Sequence, residues 1–265
     1  MTISVTIVGA TGWVGKALVP AVAAAPDLRL VGAVARGAAG QDAGTAVGGA
    51  ALGVTVAATL DEALRTPCDV VVDYTKPHVV KGHALAAVAA GRHVVVGTSG
   101  LTGEDYAEID AAARGARVGV LAAGNFSITA TLMQRFALMA ARYVPDVEVI
   151  DYASASKPDV PSGTGRELAE RLGGVRLDPT AKPVDQLSGP KETRGAEIGR
   201  TRVHSVRLPG FILSCEALFG LPDERLTIRH DAGSSAMPYV AGTLLAIRRV
   251  GEQPGLRRGL DSLME

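Results

Sequence analysis

The sequence predicts an α/β protein: an N-terminal Rossmann-type parallel sheet, then an α+β domain with a mixed sheet. Three observations carry this. The first half alternates short, continuous apolar β-branched runs with Ala-rich stretches, the pattern of buried parallel strands and crossover helices. A Gly-rich turn, Gly9-Ala-Thr-Gly12-Trp-Val-Gly15, joins the first strand to the first helix. Beyond Asn125 several strand-like runs follow one another across short turns, which implies a mixed or antiparallel sheet.

The first sheet is expected to use strands at 5–8, 28–34, 54–57, 70–73, 93–96 and 118–122. Helices are expected over 14–24, 60–65, 79–90, 103–113 and 128–143, with right-handed crossovers. The run 147–154 reads as a strand, and Ser162 is placed to cap a helix over 163–172. Residues 173–202 are polar and rich in Gly, Pro and charge, so a loop is expected. Runs 203–208, 211–219 and 225–230 read as strands in hairpin order, joined at Pro209-Gly210 and at 220–224. A helix over 239–250 closes the pattern.

Composition narrows the function classes. Lys plus Arg and Asp plus Glu are both 27, so the formal net charge is zero. That argues against nucleic acid or an anionic membrane as partner. Apolar residues at 47% exclude general disorder. Cys68 and Cys215 are the only cysteines, so no disulfide framework is expected and the chain reads as cytoplasmic. The N-terminal run lacks a charged leader and reads as a strand, and no apolar run is long enough for a membrane helix. No His, Cys, Asp or Glu cluster has metal-ligand spacing.

The first turn reads as a nucleotide site. Glycines at 9, 12 and 15 permit a tight turn and close approach of backbone N–H groups to a pyrophosphate at a helix N-terminus. The spacing is GxxGxxG and not GxGxxG. The plain alternative is a β–α turn without ligand. The second strand ends in Ala35 and is followed by Arg36, where an NAD site usually has an acid. An arginine there suits a 2′-phosphate, which favours NADPH, with NADH the alternative. Thr75, Thr98 and Ser99 follow two further strand ends and are candidates for the same crevice.

The run Lys157-Pro-Asp-Val-Pro161-Ser-Gly-Thr164 is the second candidate site. Ser162, Gly163 and Thr164 open a helix, whose free N–H groups and dipole suit a carboxylate or phosphate. Lys157 is placed to pair with that anion or to give a proton. The alternative is a capped helix beside a surface lysine. Tyr152 reads as packing or as a second proton donor, His204 as a core or interface residue, and His78 and His93 as surface residues. A short-chain dehydrogenase, suggested by Gly9-Ala-Thr-Gly12, is excluded because no tyrosine has a lysine four residues on.

Together these residues resemble the dihydrodipicolinate reductase family along almost the whole chain. The resemblance rests on the 9–15 turn, Val71-Val-Asp-Tyr-Thr-Lys-Pro77, Gly97-Thr-Ser-Gly100, Gly124-Asn-Phe-Ser127 and the Lys157–Thr164 run. It continues through Arg194-Gly195, Val203-His-Ser-Val-Arg-Leu-Pro-Gly210, Glu216-Ala-Leu-Phe-Gly220 and Leu226-Thr-Ile-Arg-His-Asp231. It implies NAD(P)H contacts from Gly9, Ala10, Thr11, Gly12, Trp13, Val14, Arg36, Tyr74, Thr75, Gly97, Thr98, Ser99, Ala123, Gly124, Asn125 and Phe126. It implies a small-molecule carboxylate held by Ser154, Lys157, Ser162, Gly163 and Thr164, with Lys157 the catalytic cation. It also implies a dinucleotide-binding domain over 1–126, completed by 240–265, and a substrate and oligomerisation domain over 127–239. A homotetramer or homodimer and a place in diaminopimelate and lysine biosynthesis follow from the same resemblance.

The chain departs from the family where the chemistry happens. The family carries a His-His-x-x-Lys type run, and here Ala153 and Ser154 stand where the histidines belong. Asp151 replaces the usual glutamate before them, Gly124 replaces a proline, and the arginine after Arg-His-Asp is absent. Imidazole donates protons near neutrality and Ser and Ala do not. The expected activity is therefore NAD(P)H-dependent reduction of a cyclic imine or conjugated C=C–C=N carboxylate, with the substrate open to a shift from dihydrodipicolinate. The alternative is a non-catalytic NADP(H)-binding sensor or scaffold.

Overall fold

Strands that are apolar along their whole length need cover on both faces. The computed structural model describes residues 2–264. The chain begins β1 (Ile3–Val8), α1 (Gly15–Ala24), β2 (Leu28–Val34), α2 (Ala43–Ala46), β3 (Val56–Ala57), α3 (Leu60–Ala63), β4 (Val70–Asp73), α4 (Pro77–Ala89), β5 (His93–Val96), α5 (Gly103–Ala116) and β6 (Gly119–Ala122). It continues α6 (Ile128–Ala140), β7 (Asp146–Ala153), α7 (Gly163–Val175), β8 (Ala196–Ile198), β9 (Thr201–Arg207), β10 (Leu213–Leu221), β11 (Glu224–Ala232), α8 (Met237–Arg249) and β12 (Gly255–Arg258). Contacts divide it into two units: residues up to Ile128 together with those from Ala236 onward, and Thr129–Ser235.

In the first unit the strand order is β12-β6-β5-β4-β1-β2-β3, and every neighbouring pair is parallel. Strands after β1 build to one side, and strands from β4 build to the other. The β1–β4 junction is therefore a topological switch point, where the carboxyl ends of parallel strands open a crevice. One apolar layer packs Leu18 and Val22 of α1 and Val240 and Ile247 of α8 on Val5, Ile7 and Val72. The opposite layer packs Val80, Ala84 and Ile109 of α4 and α5 on Val71, Val94 and Val120. Val71 and Val72 go to opposite layers, as the two-residue period of a strand requires. β12 was not expected from sequence; its Gly-Leu-Arg-Arg run pairs with β6 at the sheet edge.

In the second unit the order is β11-β10-β7-β9-β8. β7 and β9 are parallel and the other pairs antiparallel, so the sheet is mixed. α6 and α7 cover one face, placing Met133, Ala137, Leu168 and Leu172 against Val149, Val203, Ala217 and Phe219.

Two expectations for this unit are overturned. β9 and β10 do not form a hairpin, because β7 lies between them. β7 alternates buried and half-buried residues along its length and takes the centre, so Pro209-Gly210 carries the chain past it. Residues 173–202 are not all loop either: α7 runs on to Val175, and β8 and the start of β9 fall inside them. β8 is a short edge strand held by a Glu197–Arg202 pair, so it buries little and shows no apolar signal. Among the described residues no helix is long and apolar enough to cross a membrane, and no three metal-ligating side chains converge.

Candidate active site

The turn after β1 is shaped by glycine where glycine is required. Gly9 has φ +86°, and a Cβ there would meet the Tyr74 carbonyl oxygen at 2.4 Å. A Cβ on Gly15 would meet the Gly9 oxygen at 2.1 Å. Both clashes are with backbone, which cannot step aside. Gly9 and Ala10 N–H groups donate to Val34 O at 3.0 Å, tying the turn to the end of β2. Val14, at the start of α1, makes no side-chain cap. Among the described residues the N–H groups of Trp13, Val14 and Gly15 have no acceptor within the chain. A helix N-terminus left open in this way suits an anion.

This turn borders a cleft of about 1020 Å³. Of the predicted cofactor residues, Gly9, Thr11, Gly12, Trp13, Val14, Arg36, Tyr74, Thr75, Gly97, Thr98 and Ser99 line it. Ala10, Ala123 and Phe126 are buried. Gly124 is exposed, and Asn125 Oδ1 accepts the Ser127 N–H at 2.8 Å. Tyr74 puts its hydroxyl on Thr243 Oγ1 at 2.7 Å and its ring edge-on to Phe126; burial pushes its phenol well above the usual range. Its ring also blocks any Cβ at Gly97, at 2.1 Å. Arg36 is exposed at the rim; β2 ends at Val34 and not at Ala35, which is the buried residue between the strand and the turn that carries Arg36. The Trp13 and Tyr239 rings meet edge to face at 5.4 Å. The closed glycine cradle, free N–H groups and cleft fit a dinucleotide.

Behind the cleft lining, Thr75, Thr98 and His83 meet on a feature that sequence reasoning missed. Asp73, fully buried at the end of β4, accepts from Thr75 N–H at 2.9 Å, Thr75 Oγ1 at 2.6 Å, Thr98 Oγ1 at 3.1 Å and His83 at 2.7 Å. Asp73 stood in a recognised motif, but nothing in the sequence joins it to His83, ten residues on.

In the second unit Ser162 caps α7, accepting the Gly165 N–H at 3.3 Å. Its own hydroxyl and N–H both donate to Asp151, which is fully buried. Arg207 also donates to the Asp151 carboxylate, at 2.7 Å, and to the Asp159 carbonyl, at 2.8 Å. Lys157 Nζ sits 2.8 Å from the Asp159 carboxylate. Burial works against that carboxylate, but Lys157 and Arg207 hold it below its usual range. Ser154 and Ser156 share a hydrogen bond at 3.1 Å. The Ser162 hydroxyl is therefore committed inside the protein, Thr164 is largely buried, and Gly163 is the exposed residue of the turn. Arg207 was seen in sequence only as part of a motif, although it fastens the whole loop.

The structure corrects one further expectation, for His93, and gives the surroundings of His204 and Tyr152. His93 is half-buried, not a surface residue, and its Nδ1 accepts the Gly119 N–H at 2.9 Å. His204 pairs with Glu148 at 2.7 Å on the sheet face away from α6 and α7. Tyr152 donates to Glu216 at 2.8 Å and stacks on Phe211.

Comparison with known proteins decides the family. Residues 3–126 match the domain described as dihydrodipicolinate reductase, N-terminus, and residues 129–264 match its C-terminus. The chain belongs to the dihydrodipicolinate reductase family. A 4-hydroxy-tetrahydrodipicolinate reductase of Desulfitobacterium hafniense (strain DSM 10664 / DCB-2) is 38% identical over 265 residues, 99% of each chain. That of Nocardia farcinica (strain IFM 10152) is 40% identical over 275 aligned residues, covering 100% of both. The dipicolinate-bound dihydrodipicolinate reductase of Paenisporosarcina sp. TG-14 is 31% identical and superposes with a TM-score of 0.85 over 100% of both chains. Dihydrodipicolinate reductases are NAD(P)H-dependent oxidoreductases, and this chain is one.

Proposed function

We propose that the chain reduces a C=N or conjugated C=C–C=N bond of a small cyclic imine carboxylate, dihydrodipicolinate or a close relative, with NADPH. The carrying observation is the unbroken contact chain from Lys157 through Asp159, Arg207 and Asp151 to the Ser162 turn. It fixes a lysine ammonium and the exposed start of α7 on one fastened loop.

Gly9, Gly12 and Gly15 bring the open N–H groups of residues 13–15 to the pyrophosphate. Arg36 takes the 2′-phosphate. Bound in this cleft, the nicotinamide supplies the hydride. Gly163 N–H and the α7 dipole hold a substrate carboxylate. Lys157 exchanges the Asp159 carboxylate for the substrate's, stabilises negative charge developing on the adjacent nitrogen and delivers the proton there. General acid help of this kind is worth about 10²–10⁴-fold. The half-buried outer face of β7 and β10 supports a homotetramer or homodimer. The family supports a cytoplasmic role in diaminopimelate and lysine biosynthesis.

The test follows NADPH absorbance with freshly generated dihydrodipicolinate and with a panel of cyclic imine carboxylates, comparing wild type with Lys157→Ala. Turnover lost in the variant supports the reading, and the preferred compound names the substrate. Tight NADPH binding with no turnover of any compound would refute a cyclic imine carboxylate as the substrate class.

A further inference from the structure

We infer that Asp73 and His83 form a clamp that positions the two strand-end loops bordering the cofactor cleft. The inference rests on the dinucleotide reading for its functional consequence, though not for the clamp itself.

A buried carboxylate is tolerated only when donors surround it. Asp73 Oδ1 takes Thr75 N–H, Thr75 Oγ1 and Thr98 Oγ1, and Oδ2 takes His83 Nδ1. The first two donors belong to the loop after β4 and the third to the loop after β5. The loops are also cross-linked directly, since Thr75 N–H donates to Thr98 Oγ1 at 2.8 Å. One side chain therefore sets the spacing of two loops that line the cleft.

His83 supplies the remaining donor from α4. A carboxylate accepts only, so Nδ1 carries the proton and the tautomer is fixed. Asp73 is fully buried, while the His83 side chain is 28% exposed, and its outer edge lines the cleft. Without His83, Oδ2 keeps no donor among the described residues, and the carboxylate must turn or admit water. Either change pulls on Thr75 and Thr98. Both residues thus act through the loops, as positioning residues.

Two isosteres separate this from direct contact with the cofactor. Asn at 83 mimics Nδ1 and keeps the donor to Asp73. Gln mimics Nε2 and keeps only the cleft-facing group. We would compare His83→Asn, His83→Gln and His83→Ala by amide hydrogen exchange at Thr75 and by NADPH affinity. Trp13, the one tryptophan in the chain, lines the cleft and reports binding by fluorescence. His83→Asn is expected to match wild type. His83→Gln and His83→Ala are expected to speed exchange at Thr75 and weaken NADPH by about tenfold, the usual worth of a charge-assisted bond. Rescue by Gln and not Asn, or wild-type exchange in all variants, overturns the clamp. A wild type that binds no NADPH overturns the cofactor reading instead, and the exchange comparison still decides the clamp. If His83→Ala does not fold, the Asn and Gln pair decides alone.

Discussion

Asp159→Asn is expected to lower KM for a carboxylate substrate while leaving kcat within about twofold, because it removes a competitor for Lys157 and not a catalytic group. Lys157 and Asp159 pair at 2.8 Å, with side chains 31% and 49% exposed. An ion pair this open contributes about 0–1 kcal/mol. A substrate carboxylate that takes Lys157 must displace Asp159, so removing that charge returns at most about 1 kcal/mol, or roughly fivefold in KM. The change leaves the Asp159 carbonyl on Arg207, so the loop stays fastened. Initial rates of NADPH consumption against substrate concentration measure both constants. A KM that is unchanged or raised, with kcat intact, would show that Lys157 does not meet the substrate carboxylate.

Gly15→Ala places a methyl 2.1 Å from Gly9 O and 2.6 Å from Ala10 O. NADPH affinity by Trp13 fluorescence should fall by tenfold or more, on the order of one lost charge-assisted contact. Arg36→Ala should weaken NADPH by about 10–100-fold and NADH by little, since only the former offers a phosphate to a guanidinium. Burial lowers the pKa of His93, opposed by Asp69. A depressed folded pKa gives stability that is present above the unfolded value of 6.5 and lost as pH falls through the folded value. Tm should therefore drop on acidification from pH 6.5 downward, and His93→Asn, whose Oδ1 can accept the Gly119 N–H, should flatten this part of the profile. Ala153→His should cost at least about 1–3 kcal/mol by denaturant unfolding, whereas Ser154→His should fold normally and change the pH–rate profile.

The elements legible in the sequence are those whose burial is one-dimensional. Residues 30–34, 70–72 and 94–96 are continuous apolar runs, and β2, β4 and β5 are built on them. β3 is shorter than its run, keeping only Val56 and Ala57, because it pairs with β2 through those residues alone. β8 and β12 lie at sheet edges and carry charge, so periodicity passes over them. The β9–β10 error has another cause. Adjacency in sequence favours a hairpin, and nothing local shows that β7, some fifty residues earlier, takes the place between them. The same holds for the site. Gly9, Gly12 and Gly15 announce themselves by spacing. Asp73 with His83, and Asp151 with Ser162 and Arg207, are joined only by the fold.

The two positions where the family carries histidines are not equivalent in this structure. Ala153 is the last residue of β7, fully buried on the side facing the helices. Its carbonyl accepts Leu208 N–H at 3.3 Å, so the strand is held there from its neighbour. An imidazole at 153 would enter space that neighbouring atoms already fill, and restoring it demands that the surrounding residues change as well. Ser154 is half-buried just past the strand end, bonded only to Ser156 through its hydroxyl among the described contacts. A histidine there needs no rearrangement of the core. The loss at 153 is therefore built into the packing, while the loss at 154 is a single reversible step. If Ser154→His alone raises turnover of dihydrodipicolinate and leaves other imines unchanged, residue 154 sets the preference among these substrates. If it leaves both unchanged, an imidazole at 154 contributes nothing to either reaction in this chain.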